Sequence, residues 1–157
     1  MTKKRKHILL ILFLGIIAWA PTLNFWFFKA YEASWLTGVA PYTVINLIKA
    51  HAFLYYIDWK IFGWNPWGWY LTGLVLYLVA SVLFYNFLNL VTRKSSFALV
   101  ASLIFLLSTS YNDILTWGSF NSYYPLLLIC LILCLTFFAK FKIEKNNKYF
   151  FLSLVFA

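Results

Sequence analysis

The stretch Trp67-Gly-Trp-Tyr-Leu-Thr-Gly-Leu-Val-Leu-Tyr-Leu-Val-Ala-Ser-Val-Leu-Phe-Tyr-Asn-Phe-Leu-Asn-Leu-Val91 runs for 25 residues without a charge and ends two residues before Arg93-Lys94. A helix needs about 20 mostly apolar residues to cross the hydrocarbon of a bilayer, so this segment reads as a membrane span. The composition around it agrees. Of the 157 residues, 64% are hydrophobic and 11% charged, and the mean hydropathy is +0.80. A soluble domain carries about 45–50% apolar and about 25% charged residues, which excludes both an ordinary soluble domain and a disordered chain. The two cysteines, Cys130 and Cys134, sit inside one long apolar run rather than in polar loops, which argues against a disulfide scaffold. The chain reads as an integral membrane protein.

Working outward from that span, three more segments qualify: residues 8–28, 97–112, and 123–141. A fifth begins at Tyr149 and reaches only Ala157, too few residues to cross. The expected fold is therefore all-α and polytopic, with about four complete transmembrane helices and a truncated fifth. Residues 29–66 form a first outer loop, and the whole of 1–157 is expected to be the N-terminal part of a longer membrane protein. The first segment has a rival reading as a signal peptide, because Lys3, Lys4, Arg5 and Lys6 precede it and Ala18-Trp19-Ala20 resembles a small-x-small cleavage site. Pro21 directly afterwards favours an uncleaved anchor.

Lys and Arg collect on the cytoplasmic side of short loops. With the N-terminus inside, the inner face holds Lys3, Lys4, Arg5, Lys6, Arg93, Lys94, Lys140, Lys142, Lys145 and Lys148, and the outer face only Lys29, Lys49 and Lys60. Trp26, Trp35, Trp59, Trp64, Trp67, Trp69 and Trp117 then fall in outer loops or at their borders, where interfacial anchoring predicts them. The net charge of +9 would suggest nucleic acid in a soluble protein. Here the basic residues lie in short clusters between apolar runs and form no basic recognition face, which argues against that partner. Residues 41–63 are apolar enough to tempt a fifth span, yet they contain Lys49, His51, Asp58 and Lys60. Each central charge would cost about 2.5–3.5 kcal/mol on insertion, and a span there would invert every later loop. They read instead as one or two helices lying on the outer interface.

The chain shows no His pair at ligand spacing, no phosphate-cradling glycine loop and no nucleophile elbow. What it offers is polar residues gathered toward one membrane face: Glu32, Lys49, His51, Asp58, and the group Tyr111, Asn112, Asp113, Trp117 and Asn121. Polar groups near hydrocarbon usually face a cavity or a partner. Lys49 and Lys60 read either as snorkelling to headgroups or as contacts for a lipid-borne phosphate. His51 reads as an interfacial polar residue or as a base. Tyr70, Gly73, Tyr77, Ala80 and Ser81 recur at helical spacing, most simply as a helix-packing stripe with small residues allowing close approach. Cys130 and Cys134 share a helix face and read as small hydrophobes.

The run 58–117 resembles the N-terminal region of polytopic GT-C glycosyltransferases, especially the protein-mannosyltransferase-like group. The resembling residues are Asp58-Trp-Lys-Ile-Phe-Gly63, then Asn65-Pro-Trp-Gly-Trp-Tyr70 entering a long helix, the basic turn Arg93-Lys94, and Tyr111-Asn-Asp-Ile-Leu-Thr-Trp117 with its acid four residues before a tryptophan. Asn24 stands where such enzymes carry an acid soon after the first span, and Glu32 is the nearest carboxylate. The resemblance implies an enzyme that moves a sugar from a polyprenyl-phosphate carrier to an acceptor on the outer face. It makes Glu32 the candidate base and Asp113 a base or acceptor-orienting group. Lys49, His51, Asn112 and Trp117 become candidates for holding substrate and phosphate, with Asp58 mainly structural. No cofactor is required by these residues, although a divalent metal ion is left open. Membrane lipids and the lipid-linked donor are the expected partners. Two readings from other classes stand beside it. One is a non-catalytic membrane scaffold that lacks the acid at Asn24; the other is a transporter, which should show inverted repeats or broken helices.

Overall fold

The computed structural model describes residues 2–24, 57–58, 60–63, 65–108 and 123–157. Its elements are helix α1 (Lys3–Trp19) continued by a 3-10 turn (Ala20–Asn24), α2 (Pro66–Thr92), α3 (Ser95–Leu107), α4 (Tyr123–Glu144) and α5 (Asn147–Val155). No strand occurs among the described residues. Among the described residues three helical stretches are long and apolar enough to cross a membrane: Lys3–Leu23, Pro66–Thr92 and Tyr124–Glu144. The third expected span is, in its described part, the 13-residue α3, which stops at Leu107. The fifth is the nine-residue α5. Residues 57, 58 and 60–62 are helical, and the rest of the stretch 41–63 before residue 57 lies outside the described residues.

Local chemistry sets the ends of the helices. The Asn65 side chain accepts from the Trp67 N–H at 3.2 Å, and Pro66 follows at the first helical position, where its missing N–H costs nothing. α2 closes on Arg93, a left-handed residue at φ 55° whose N–H returns to the Asn89 carbonyl at 3.1 Å. Lys145 ends α4 in the same way, at φ 54° with its N–H on the Phe141 carbonyl at 2.8 Å. The adjoining cations suit the negative end of each helix dipole. The Asn146 side chain then caps α5 by accepting from the Lys148 N–H at 3.0 Å.

α2 is the central helix. One side packs against α1 and α3 through Leu74, Tyr77, Leu78 and Tyr85, meeting Ile11, Trp19, Ala98 and Leu106. Another packs against α4, with Ala80 against Ile129 and Ile132. α5 packs on α4, where the Phe137 ring stacks on Tyr149 and Phe156 at 6.4 and 5.7 Å. The expected packing stripe is therefore real, since Tyr70, Gly73, Tyr77, Ala80 and Ser81 are all buried, but it divides between two neighbours. At Gly15 α1 approaches its neighbours closely, because a Cβ there would overlap a Leu78 methyl group. The outward faces are apolar: Phe13, Ile16 and Ile17 on α1, Val75 and Val79 on α2, Ile104 on α3 (68% exposed), Leu131 and Leu135 on α4. Hydrocarbon outside with tyrosine and serine inside is the arrangement in which acyl chains serve as the solvent.

Candidate functional site

The direction of each helix fixes where the polar segments leave the bundle. His7 Nδ1 and the Tyr85 hydroxyl share a 3.1 Å hydrogen bond, with the rings edge to face at 5.8 Å. Twelve residues on, the Trp19 ring meets Tyr77 edge to face at 6.2 Å. Thus α1 runs antiparallel to α2. The two-residue turn Arg93-Lys94 reverses the chain into α3, whose last turn returns to the level of Trp19 and Tyr77.

At that level two side chains close off α3. The Trp19 indole N–H donates to the Leu106 carbonyl at 2.8 Å, and the Tyr77 hydroxyl donates to the Phe105 carbonyl at 2.9 Å, with a longer approach to Leu106 at 3.5 Å. The last four carbonyls of a helix have no partner within it, and in hydrocarbon water cannot supply one. These two bonds allow α3 to stop at Leu107 while α2 continues toward Pro66 for another 11 residues, about 16 Å by helical rise. Thr22 adds a bond from its hydroxyl to the Trp19 carbonyl at 2.6 Å, tying the 3-10 turn to the end of α1.

The start of α2 is built as a compact knot. Gly63 takes φ +53°, a conformation that side chains disfavour, and its carbonyl accepts from the Trp69 indole N–H at 3.1 Å. The Phe62 ring lies so close to Gly68 that a Cβ there would overlap it. Asp58 is buried in this region, with 4% of its surface exposed.

Consequently the C-terminal end of α1, the N-terminal end of α2 and the C-terminal end of α3 lie at one end of the three-helix unit. Residues 25–56 depart from it at Asn24 and return to it before Asp58; residues 109–122 depart from it after Ser108. Glu32, Lys49 and His51 belong to the first of these stretches, and Tyr111, Asn112, Asp113, Trp117 and Asn121 to the second. All of them lie outside the described residues, and of Asn24 only the backbone is described.

No protein-family model, curated protein or solved structure matches this chain.

Among the described residues no group of three or more His, Cys, Asp or Glu is placed to hold a metal ion. Cys130 and Cys134 are free thiols, partly buried on α4. The buried hydroxyls of Ser81 and Ser102 bond back to the Tyr77 and Ala98 carbonyls at 2.9 and 2.7 Å, so they serve packing rather than chemistry. Asn86 gives its amide N–H to the Val82 carbonyl at 2.9 Å and keeps Oδ1 buried with no donor among the described residues. Hydropathy missed the Trp19 and Tyr77 caps. The only signal for them in the sequence is a tryptophan set inside a span, away from the other seven.

Proposed function

We propose that this chain is the N-terminal part of a multi-pass membrane glycosyltransferase of GT-C type, with its N-terminus in the cytoplasm. It would pass a sugar from a polyprenyl-phosphate carrier to an acceptor on the extracytoplasmic side. The observation that carries this reading is the common point of departure of residues 25–56 and 109–122. Two stretches far apart in sequence, which hold Glu32 and Asp113, start from one end of one helical unit. Support also comes from the residues that carry the resemblance. Asn65 and Pro66 open a long helix, Arg93-Lys94 forms the tight basic turn, and the Asp58-to-Gly63 segment is knotted onto the head of α2.

In this reading the acceptor hydroxyl attacks the anomeric carbon while Glu32 takes its proton. The new glycosidic C–O bond forms as the bond from that carbon to the carrier phosphate breaks. The electron pair leaves with the phosphate, whose charge is steadied by Lys49 and His51. Asp113, with Asn112 and Trp117, orients the acceptor. Partial desolvation of a carboxylate at a membrane interface raises its proton affinity, which suits a base.

The test uses the full-length protein in vesicles supplied with a radiolabelled polyprenyl-phosphate hexose, following transfer of label out of the lipid fraction. Glu32→Gln should lower the rate about 100-fold or more, the usual scale for losing a general base. Asp113→Asn should lower it by less. Unchanged transfer in both variants would overturn the residue assignment, and no transfer by the unaltered protein from any such donor would overturn the function.

A further inference from the structure

We propose that the turn between α4 and α5 is a binding surface for the headgroups of anionic phospholipids. This is independent of the glycosyltransferase reading. Within nine residues the turn holds Lys140, Lys142, Lys145 and Lys148 against one acid, Glu144. Lys142, Lys145 and Lys148 are exposed, and Lys140 is half-buried. The fold makes this a compact patch rather than a string of charges. Lys145 in its left-handed conformation and Asn146 as cap reverse the chain in two residues, so the last turn of α4 and the first of α5 lie side by side.

What surrounds the lysines selects the partner. The Lys140 ammonium lies 5.9 Å from the Phe137 ring centre and 5.4 Å from that of Tyr149, and the Lys142 ammonium lies 5.4 Å from that of Phe138. Phe137 and Tyr149 stack with each other at 6.4 Å, and Phe138 leads into a second aromatic row in which it meets Phe141 at 6.4 Å, Phe141 meets Phe150 at 5.4 Å and Phe150 meets Phe151 at 6.0 Å. Much of the hairpin's apolar surface is open: Phe138, Ile143, Phe151 and Leu154 are exposed, and Val155 is 74% exposed. A cationic patch whose lysines sit over aromatic rings on a hairpin with exposed aliphatic and aromatic residues matches a phospholipid, whose phosphate is anionic and whose chains are apolar. A nucleic acid would satisfy the lysines but leave that apolar surface in water. Lysines on long stems beside aromatic rings also match the interfacial depth at which headgroup phosphates sit.

Each lysine near an anionic membrane surface contributes about fivefold in affinity. The experiment is native mass spectrometry of the full-length protein in detergent micelles doped with equal amounts of dioleoylphosphatidylglycerol and dioleoylphosphatidylcholine. The unaltered protein should retain phosphatidylglycerol in preference. The variant carrying Lys140→Gln, Lys142→Gln, Lys145→Gln and Lys148→Gln should lose that preference by about tenfold or more. The matching quadruple arginine variant should keep it, since the charge is preserved. Preference that persists in the glutamine variant overturns the proposal. Retained phosphatidylglycerol should not be displaced by millimolar inorganic phosphate; complete displacement would assign the patch to a free anion and overturn the lipid reading. Should the glutamine variant fail to fold, salt decides. Preference in the unaltered protein must weaken as ionic strength rises from about 0.05 to 0.3 M, because exposed charges are screened. A salt-independent preference overturns the proposal.

Discussion

Helices α1, α2 and α3 are joined by side-chain hydrogen bonds that cross from one helix to another, whereas in the α4–α5 hairpin the bonds of Thr136, Asn146 and Ser153 stay within a turn of their origin. In the first region His7 meets Tyr85, Trp19 reaches Leu106, and Tyr77 reaches Phe105. In the second, the Thr136 hydroxyl returns to the Ile132 carbonyl, Ser153 to Phe150, and the Asn146 side chain takes the Lys148 N–H. There, stacked rings hold α5 on α4, and aliphatic contacts hold α4 on α2. The difference shows two ways of associating helices in lipid, where acyl chains are as apolar as leucine and burial alone drives little. One uses directed polar bonds and close approach at small residues. The other relies on shape and dispersion. The first fixes where each helix ends against its neighbour; the second suits a hairpin with exposed apolar faces.

The largest test of this contrast is Trp19→Ala. It removes a buried ring and the cap on the Leu106 carbonyl, and should cost about 3–5 kcal/mol in equilibrium unfolding measured by steric trapping in bicelles. A cost below about 1 kcal/mol would mean that directed bonds do not hold the first region together. Next comes Gly15→Ile, which forces α1 away from Leu78 and Leu106; overpacking of this kind should cost about 1–3 kcal/mol in the same measurement. Tyr77→Phe keeps the ring and deletes only the donor to Phe105. A loss of about 0.6–1 kcal/mol is expected, the scale of interhelical bonds in membranes, together with faster amide exchange at the end of α3. The smallest effect should come from Leu131→Ala on the outward face of α4, within about 0.5 kcal/mol. A large loss there would show that this face is packed against protein rather than lipid, and would sharpen the account of the hairpin.

Hydropathy located the central helix closely, reading 67–91 against the observed Pro66–Thr92, because Asn65-Pro66 and Arg93-Lys94 are chemical boundaries written in the chain. It did less well where no such boundary exists. Residues 8–28 read as one span, but the helix begins at Lys3 and changes to a 3-10 turn at Ala20, one residue before Pro21. Charged residues outside the hydrocarbon can still be helical, and hydropathy reports solubility rather than backbone bonding. The segment 97–112 read as a full crossing, and its described helix is Ser95–Leu107. That end is set by Trp19 and Tyr77, neither of which is near it in sequence. The stripe Tyr70, Gly73, Tyr77, Ala80, Ser81 was legible as packing from its spacing, but spacing could not tell that Tyr77 faces α3 while Ala80 faces α4. Of the candidate site, the sequence supplied the residue types, and only the helix directions brought the ends of their two segments together.

By itself the sequence determined that this protein is helical and built for a membrane, since long uncharged runs bounded by lysine and arginine have few other stable outcomes in water or lipid. The tertiary structure alone decided which helix ends where, which face meets which neighbour, and that the C-terminal ends of α1 and α3 and the N-terminal end of α2 share one end of the three-helix unit. Those features depend on single hydrogen bonds and close contacts between residues 28 to 87 positions apart, and a pattern with a period of a few residues carries no information at that range.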